Sequence, residues 1–184
     1  MPRIAILEDM ARRLFEVSAL CNDARFEDGR YDGSATECAL LSGAAEAGLD
    51  IASLLHRWPR EQTVLRSERR KRMSTLHRNA DGLSRFCVKG DPLEVLALCT
   101  HMRSGAGLGP LDEDARARIR AVNDRMAGMA LRVLGVAEGH GEQDAAAEQG
   151  LVWHGLVGLA NPLRPGVPEA IRQLHRAGIR TVTI

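Results

Sequence analysis

MSTLHRNADGLSRFCVKGDP, running from Met73 to Pro92, is the stretch that decides the fold. Met73–His77 and Arg85–Lys89 are short β-like runs, and Asn79-Ala80-Asp81-Gly82 lies between them. Asn and Asp side chains bond their own backbone in tight turns, and Gly supplies positive φ without steric cost, so the pattern predicts a β-hairpin. Pro92 follows the second run at once. It suits the first turn of a helix, where its missing N–H leaves no bond unmade, and the helix is expected to extend through Cys99.

Working outward from the hairpin, Ile6, Leu7, Met10, Leu14 and Val17 recur at three- and four-residue spacing, which predicts an opening helix ending before Cys21. Thr36 to Ala47 reads as a second helix stopped by Gly48. Asp50 can cap a third, carrying Ile51, Leu54, Leu55 and Trp58 up to Pro59. Downstream, the glycine-rich His101–Pro110 reads as a mobile linker. Asp112 can cap a long helix through Ala130 whose Ile119, Val122, Met126 and Met129 share a face. Leu131–Ala137 and Leu151–Ala160 read as buried strands around a polar loop, Glu138–Gly150. The connector Asn161-Pro162-Leu163-Arg164-Pro165-Gly166 is too rich in proline for a helix interior or a central strand and reads as a boundary. Beyond it, Pro168–Ala177 predicts a short amphipathic helix closed by Gly178, and Ile179–Ile184 a strand. Helices first, then hairpin, helices and strands, describe an α+β domain with a mostly antiparallel sheet flanked by helices. The last helix and strand resemble the opening of an α/β unit.

Composition bounds the function. With 45% hydrophobic and 27% charged residues the chain can bury a core, and its formal charge of +1 creates no global field for nucleic acid or anionic membrane. Aromatic content of 3% leaves few rings for stacking on bases, so no nucleic-acid partner is expected. Cys21, Cys38, Cys87 and Cys99 lack CxxC spacing and the six histidines are dispersed, so no metal site is expected. The longest mainly apolar stretch, Leu151–Ala160, is half the length that spans a bilayer. The N-terminus has no apolar h-region of a signal peptide.

Seven short segments, in order, resemble the nucleotide-binding region of P-type cation-transporting ATPases. Cys21-Asn22-Asp23 resembles the family's CN-type motif, and Ala35-Thr36-Glu37-Cys38-Ala39-Leu40-Leu41 its (P/A)-T-E-x-A-L-L segment. Arg66 to Ser74 resembles F-x-S-x-R-K-x-M-S, and Phe86 to Pro92, with Cys99 trailing, resembles the K-G-A-P-E signature. Ala130 to Ala137 is similar to G-x-R-x-L-x-x-A, Leu156 to Pro165 to the strand leading into a D-P-x-R-P hinge, and Ala177 to Ile184 to A-G-I-x-V-x-x-I.

The resemblance implies a nucleotide-binding domain over residues 1–160 and, over 161–184, a hinge at Asn161, Pro162 and Arg164 followed by a short piece of an α/β, haloacid dehalogenase-like phosphorylation domain. It implies ATP as the ligand of Thr36, Glu37, Arg66, Lys71, Met73, Lys89, Gly90, Arg132 and Leu134, and Mg²⁺ as a cofactor of the parent protein. The implied partners are the phosphorylation, actuator and transmembrane domains of a pump, which makes this segment a cytoplasmic part of an integral membrane protein. Chemistry agrees: a triphosphate needs nearby cations, and Lys89-Gly90 offers a charge beside an approachable backbone. Bland readings stand beside these. A lysine at a strand end is commonly a solvated charge, Thr36-Glu37 favours any helix start, and Arg66–Arg72 can be a solvated face. Arg132 in an apolar run calls for a partner.

Four departures from the family pattern matter. The phosphorylated D-K-T-G-T motif is absent, so this chain by itself is expected to be inactive. The stacking phenylalanine is replaced by Arg66, or by Leu65 if one residue is inserted. Asp91 brings a negative charge into the K-G-x-P signature, and Asn161 replaces the hinge aspartate. Two functions fit: an ATP-binding domain that presents nucleotide for phosphoryl transfer to an aspartate elsewhere, or a degenerate domain serving as a regulatory or interaction module.

Overall fold

The computed structural model describes residues 2–27, 30–105, 107–140, 148–160 and 166–182. Helix α1 (Pro2–Leu20) leads into a small hairpin, β1 (Arg25–Glu27) and β2 (Arg30–Asp32). Helices α2 (Ala35–Glu46) and α3 (Ile51–Arg57) follow, then β3 (Arg60–Val64), β4 (Arg72–Arg78), β5 (Ser84–Gly90) and α4 (Pro92–Ala97). The chain continues through β6 (Cys99–Ser104), β7 (Gly107–Pro110), α5 (Glu113–Gly128), β8 (Arg132–His140), β9 (Leu151–Leu159) and α6 (Val167–Arg176). Seven strands form one sheet in the order β3-β4-β5-β8-β9-β6-β7, antiparallel except for the parallel β6–β9 pair. The fold is therefore α+β with a mostly antiparallel sheet and flanking helices.

The central hairpin follows from local chemistry. Asn79 Oδ1 accepts from the N–H groups of Asp81 and Leu83 at 3.1 and 2.8 Å, and Gly82 takes φ +79°. Alternation then sorts the side chains to the two faces. Leu76, Phe86, Val88 and Ala137 pack with Val95, Leu96, Leu111 and Ala115 of the α4–α5 side. Met73, Cys87 and Val136 pack with Val17, Leu20 and Cys21 from the end of α1.

The α1-facing side also carries a buried polar group. Arg85 donates to Glu138 at 2.6 Å and lies 5.2 Å from the Trp58 ring centroid, while His154 Nε2 is 3.1 Å from the other Glu138 oxygen. Burial disfavours the Arg85 charge, yet the Glu138 bond outweighs it and the guanidinium pKa is raised. His77, with Nδ1 2.9 Å from the Trp58 carbonyl oxygen, has its pKa lowered mainly by burial.

Several expectations need correction. His101–Pro110 is a β-hairpin, β6–β7, rather than a mobile linker: Gly107 and Gly109 pair with Ser104 and Met102, and β6 is held in turn by β9. The pairing Phe26↔Tyr31 and the strand β3 were not foreseen, because β3 is a mostly exposed, polar edge strand without an alternating signal. Met129 is 64% exposed and only caps α5. The expected loop Glu138–Gly150 begins as strand, since β8 runs to His140. Ile179–Val182 form no strand, having no neighbouring ladder to join. Thr183, Ile184 and the hinge residues Asn161, Pro162 and Arg164 lie outside the described residues.

Candidate functional site

One cleft, of about 650 Å³, opens where the ends of β4, β5 and β8 meet the first turn of α2. Its lining includes Thr36, Glu37, Arg66, Lys71, Met73, Lys89, Gly90, Arg132 and Leu134. The residues singled out from sequence, drawn from four separate segments, are thus brought together at one place. Asp23, Leu65, Arg72 and Asp91 line it as well.

Lys89 forms the floor. It is 4% exposed at the end of β5, opposite Met73 of β4 and Val136 of β8. Its ammonium pairs with both oxygens of Glu37 at 2.7 and 2.8 Å, so it is not the solvated charge that strand-end lysines usually are. Ser34 caps α2, its hydroxyl accepting from the Glu37 N–H at 3.3 Å. A glutamate at that third position commonly reaches back to the cap. Here its carboxylate turns to Lys89 and accepts the Asp23 N–H at 2.9 Å, while Asn22 Nδ2 donates to the Glu37 carbonyl at 3.0 Å. The Cys21-Asn22-Asp23 segment therefore fastens the α2 terminus in place. Cys21 is buried beneath it, and burial raises its thiol pKa despite the nearby Lys89 charge.

Asp91 caps α4, accepting the Leu93 and Glu94 N–H groups at 3.0 and 3.1 Å. Its carboxylate thus has a structural task while standing at the cleft edge. Gly90 is required for a reason within the protein: a Cβ there would lie 2.4 Å from Arg72 Cα and 2.5 Å from the Lys71 carbonyl oxygen. The neighbour that approaches it is the β4 backbone.

Arg70 and Arg72 depart from the solvated face that their run suggests. Arg72 donates to Glu148 at 2.6 Å and to Glu94 at 3.2 Å; Arg70 pairs with Glu148 and donates to Ser74 Oγ at 2.7 Å. Burial alone would raise the Glu148 pKa, but bonds from Ser74, Arg72 and Arg70 together lower it. Glu148 was missed in the sequence because it sits in a stretch that reads as polar loop. Arg132 is exposed at the start of β8 and does not need the buried partner that its apolar run called for.

A charge inventory separates the two signs. Among the described residues, each acidic side chain lining the cleft is committed within the chain: Asp23 to Arg60 at 2.6 Å, Glu37 to Lys89, and Asp91 to the α4 cap. Among the described residues, the side chains of Arg66, Lys71 and Arg132 have no such partner. Three uncommitted cations around one cleft, beside an apolar wall of Met73, Val133 and Leu134, suit a ligand with a flat apolar part and several negative charges.

Comparison with known proteins gives a family. Residues 10–166 match the model described as "P-type ATPase, cytoplasmic domain N". The chain is 30% identical over 179 residues to a calcium-transporting ATPase, lmo0841, of Listeria monocytogenes serovar 1/2a (strain ATCC BAA-679 / EGD-e), covering 94% of this chain and 20% of that protein. It is 34% identical over 176 residues to the cation-transporting ATPase pma1 of Synechocystis (strain ATCC 27184 / PCC 6803 / Kazusa), covering 90% and 19%. It is 36% identical over 155 residues to the calcium-transporting ATPase PAT1 of Dictyostelium discoideum, covering 81% and 14%. The chain thus spans about a fifth or less of each relative's length. No single helix among the described residues is long and apolar enough to cross a membrane. The chain belongs to the P-type ATPase family, as its cytoplasmic domain N.

Proposed function

We propose that this chain holds ATP for a membrane cation-transporting P-type ATPase and presents it for phosphoryl transfer to an aspartate outside this sequence. The observation that carries the reading is the set of three uncommitted cations, Arg66, Lys71 and Arg132, around a cleft whose carboxylates are all engaged among the described residues. Catalysis in the whole pump would rest on positioning and charge neutralisation, with this domain supplying the positioning. Lys89 and Glu37 set the cleft floor, and the cations meet phosphate oxygens. Among the described residues of the cleft no carboxylate is free to hold Mg²⁺, so no role here is routed through the ion. Residues 1–160 are the nucleotide-binding unit and 161–184 a hinge and the start of a phosphorylation domain, a division supported by α6 burying no residue. Lacking D-K-T-G-T, the isolated chain is expected to form no acid-stable phosphoenzyme with ATP; a stoichiometric acyl-phosphate would overturn that.

Affinity is expected to be weak. Losing an aromatic stack costs about 1 to 3 kcal/mol, which weakens Kd for ATP by about five- to 150-fold relative to a site that keeps the ring. An NMR titration with ATP should shift the amides of Glu37, Lys89 and Gly90. Asp91→Asn, which keeps a capping side chain but removes the charge, should tighten ATP binding by about two- to fivefold without lowering Tm, whereas Asp91→Ala should also lose about 1 kcal/mol of helix capping. If no cleft amide responds at tens of equivalents, the domain is a degenerate module that keeps the fold for regulation or interaction, a reading favoured by Arg66 standing where a ring would stack.

A further inference from the structure

Glu148 lies outside the lining of the cleft, yet it is 5% exposed and its carboxylate is bonded on both oxygens. Oε1 accepts from Ser74 Oγ at 2.6 Å and from Arg70; Oε2 accepts from Arg72 Nε at 2.6 Å. The three donors come from one short stretch, the entry into β4, and Lys71 stands between two of them. Arg72 also reaches Glu94 at 3.2 Å, and the same Glu94 oxygen accepts the Lys71 N–H at 3.0 Å. The Lys71 carbonyl in turn accepts the Asp91 N–H at 2.8 Å. A single buried carboxylate therefore holds the side chains on both sides of the one uncommitted cation that β4's entry contributes to the cleft, while the Lys71 backbone itself is bonded by Glu94 and the Asp91 N–H.

We infer that Glu148 is a positioning residue for the phosphate-facing side of the cleft: by clamping Arg70, Arg72 and Ser74 it presents Lys71 to the ligand while keeping the Arg72 guanidinium engaged elsewhere. The inference rests on the ATP reading above, which concerns what binds, whereas this one concerns what holds Lys71. Its physical basis is that a long lysine side chain on a loose segment loses more conformational freedom on binding than one whose backbone is already fixed. Glu148 acts through Lys71 and touches no ligand.

The test uses the full chain and Glu148→Gln, which preserves shape but removes the charge that holds two guanidinium groups. Without ligand, amide exchange at Lys71 and Met73 should speed up about tenfold or more while Phe86 and Val88 stay as in the wild type. ATP affinity should fall about three- to tenfold and adenosine affinity stay unchanged, because adenosine has no phosphate for Lys71 to meet. In a Lys71→Ala background the Glu148 change should have no further effect on ATP, the non-additivity expected of residues acting as a unit. Unchanged exchange at Lys71 overturns the inference. So does tighter ATP binding, which would mean that the freed Arg72 simply serves as another cation. If the wild type binds no ATP, the functional reading falls, and the exchange arm alone still decides the positioning role. If Glu148→Gln does not fold, Ser74→Ala removes one anchor and is read by the same measurements.

Discussion

Lys89→Met is expected to lower stability by about 2 to 3 kcal/mol and to remove most of the nucleotide affinity of the chain. Lys89 is buried and Glu37 mostly so, with side chains 5% and 17% exposed. Removing the lysine strands a carboxylate that would keep only the Asp23 N–H as a partner. Breaking a buried pair from one side typically costs about 3 to 5 kcal/mol, and the residual exposure of Glu37 lets water offset part of that. For a chain of this size the midpoint should drop by about 5 to 10 °C in thermal unfolding. The double variant Lys89→Met, Glu37→Gln separates the two effects. It no longer buries an unpaired charge and should recover about half the lost stability, yet it still lacks the cation of the cleft floor and should not recover ATP binding. A single variant melting within 2 °C of the wild type would show that the pair contributes nothing to the fold.

That pair also marks the limit of what could be read in advance. Lys89 and Glu37 are 52 residues apart, and nothing local in either segment says that they meet. They were named as members of one site only because each segment resembles a family motif. The hairpin, by contrast, is legible from physics alone, since Asn79 and Gly82 act on their own neighbours and the β-like runs on either side are short and adjacent in the chain. The helix caps Asp50, Asp91 and Asp112 act over three residues or fewer, and two of the three were assigned in the sequence. Asp91 reads in the sequence as a charge within the K-G-x-P signature, and its capping role becomes visible only with the α4 helix in place.

Failures arose where partners are distant or the pattern is absent. The β6–β7 hairpin looks like a flexible linker because its glycines carry no periodic signal; its order comes from β9, just over fifty residues downstream. Strand β3 is polar because it is an edge, so hydrophobic alternation does not reveal it. Arg70 and Arg72 read as a solvated patch until Glu148, 76 residues beyond Arg72, is found between them. By composition Arg66–Arg72 is one basic run. The fold divides its five cations: Arg70 and Arg72 are half-buried and held by Glu148, Arg69 is exposed away from the cleft lining, and Arg66 and Lys71 line the cleft without a partner among the described residues.

Gly90→Ala should be among the most damaging small changes available, with a loss of about 3 kcal/mol or more, at the upper end of what overpacking usually costs. The atoms that a Cβ would meet are Arg72 Cα at 2.4 Å, Arg72 Cβ at 2.5 Å and the Lys71 carbonyl oxygen at 2.5 Å. Two of the three are backbone, so no flexible side-chain tip can swing aside, and the β4–β5 ladder must open at its Arg72↔Gly90 pair. The conformation of residue 90 is one that any residue can adopt, so the penalty is one of space alone. Opening the ladder there would stretch the bond from the Asp91 N–H to the Lys71 carbonyl, now 2.8 Å. Lys71, Gly90 and Asp91 all line the cleft, so ATP affinity should fall with stability rather than independently of it. Gly109→Ala provides the control: it also lies in a strand, with nothing within 4 Å of its would-be Cβ, and should change stability by no more than about 0.5 kcal/mol. Chemical unfolding of the two variants checks the contrast. Equal midpoints would mean that β4 and β5 can separate at Gly90 without cost, and the tight approach would then have no part in shaping the site.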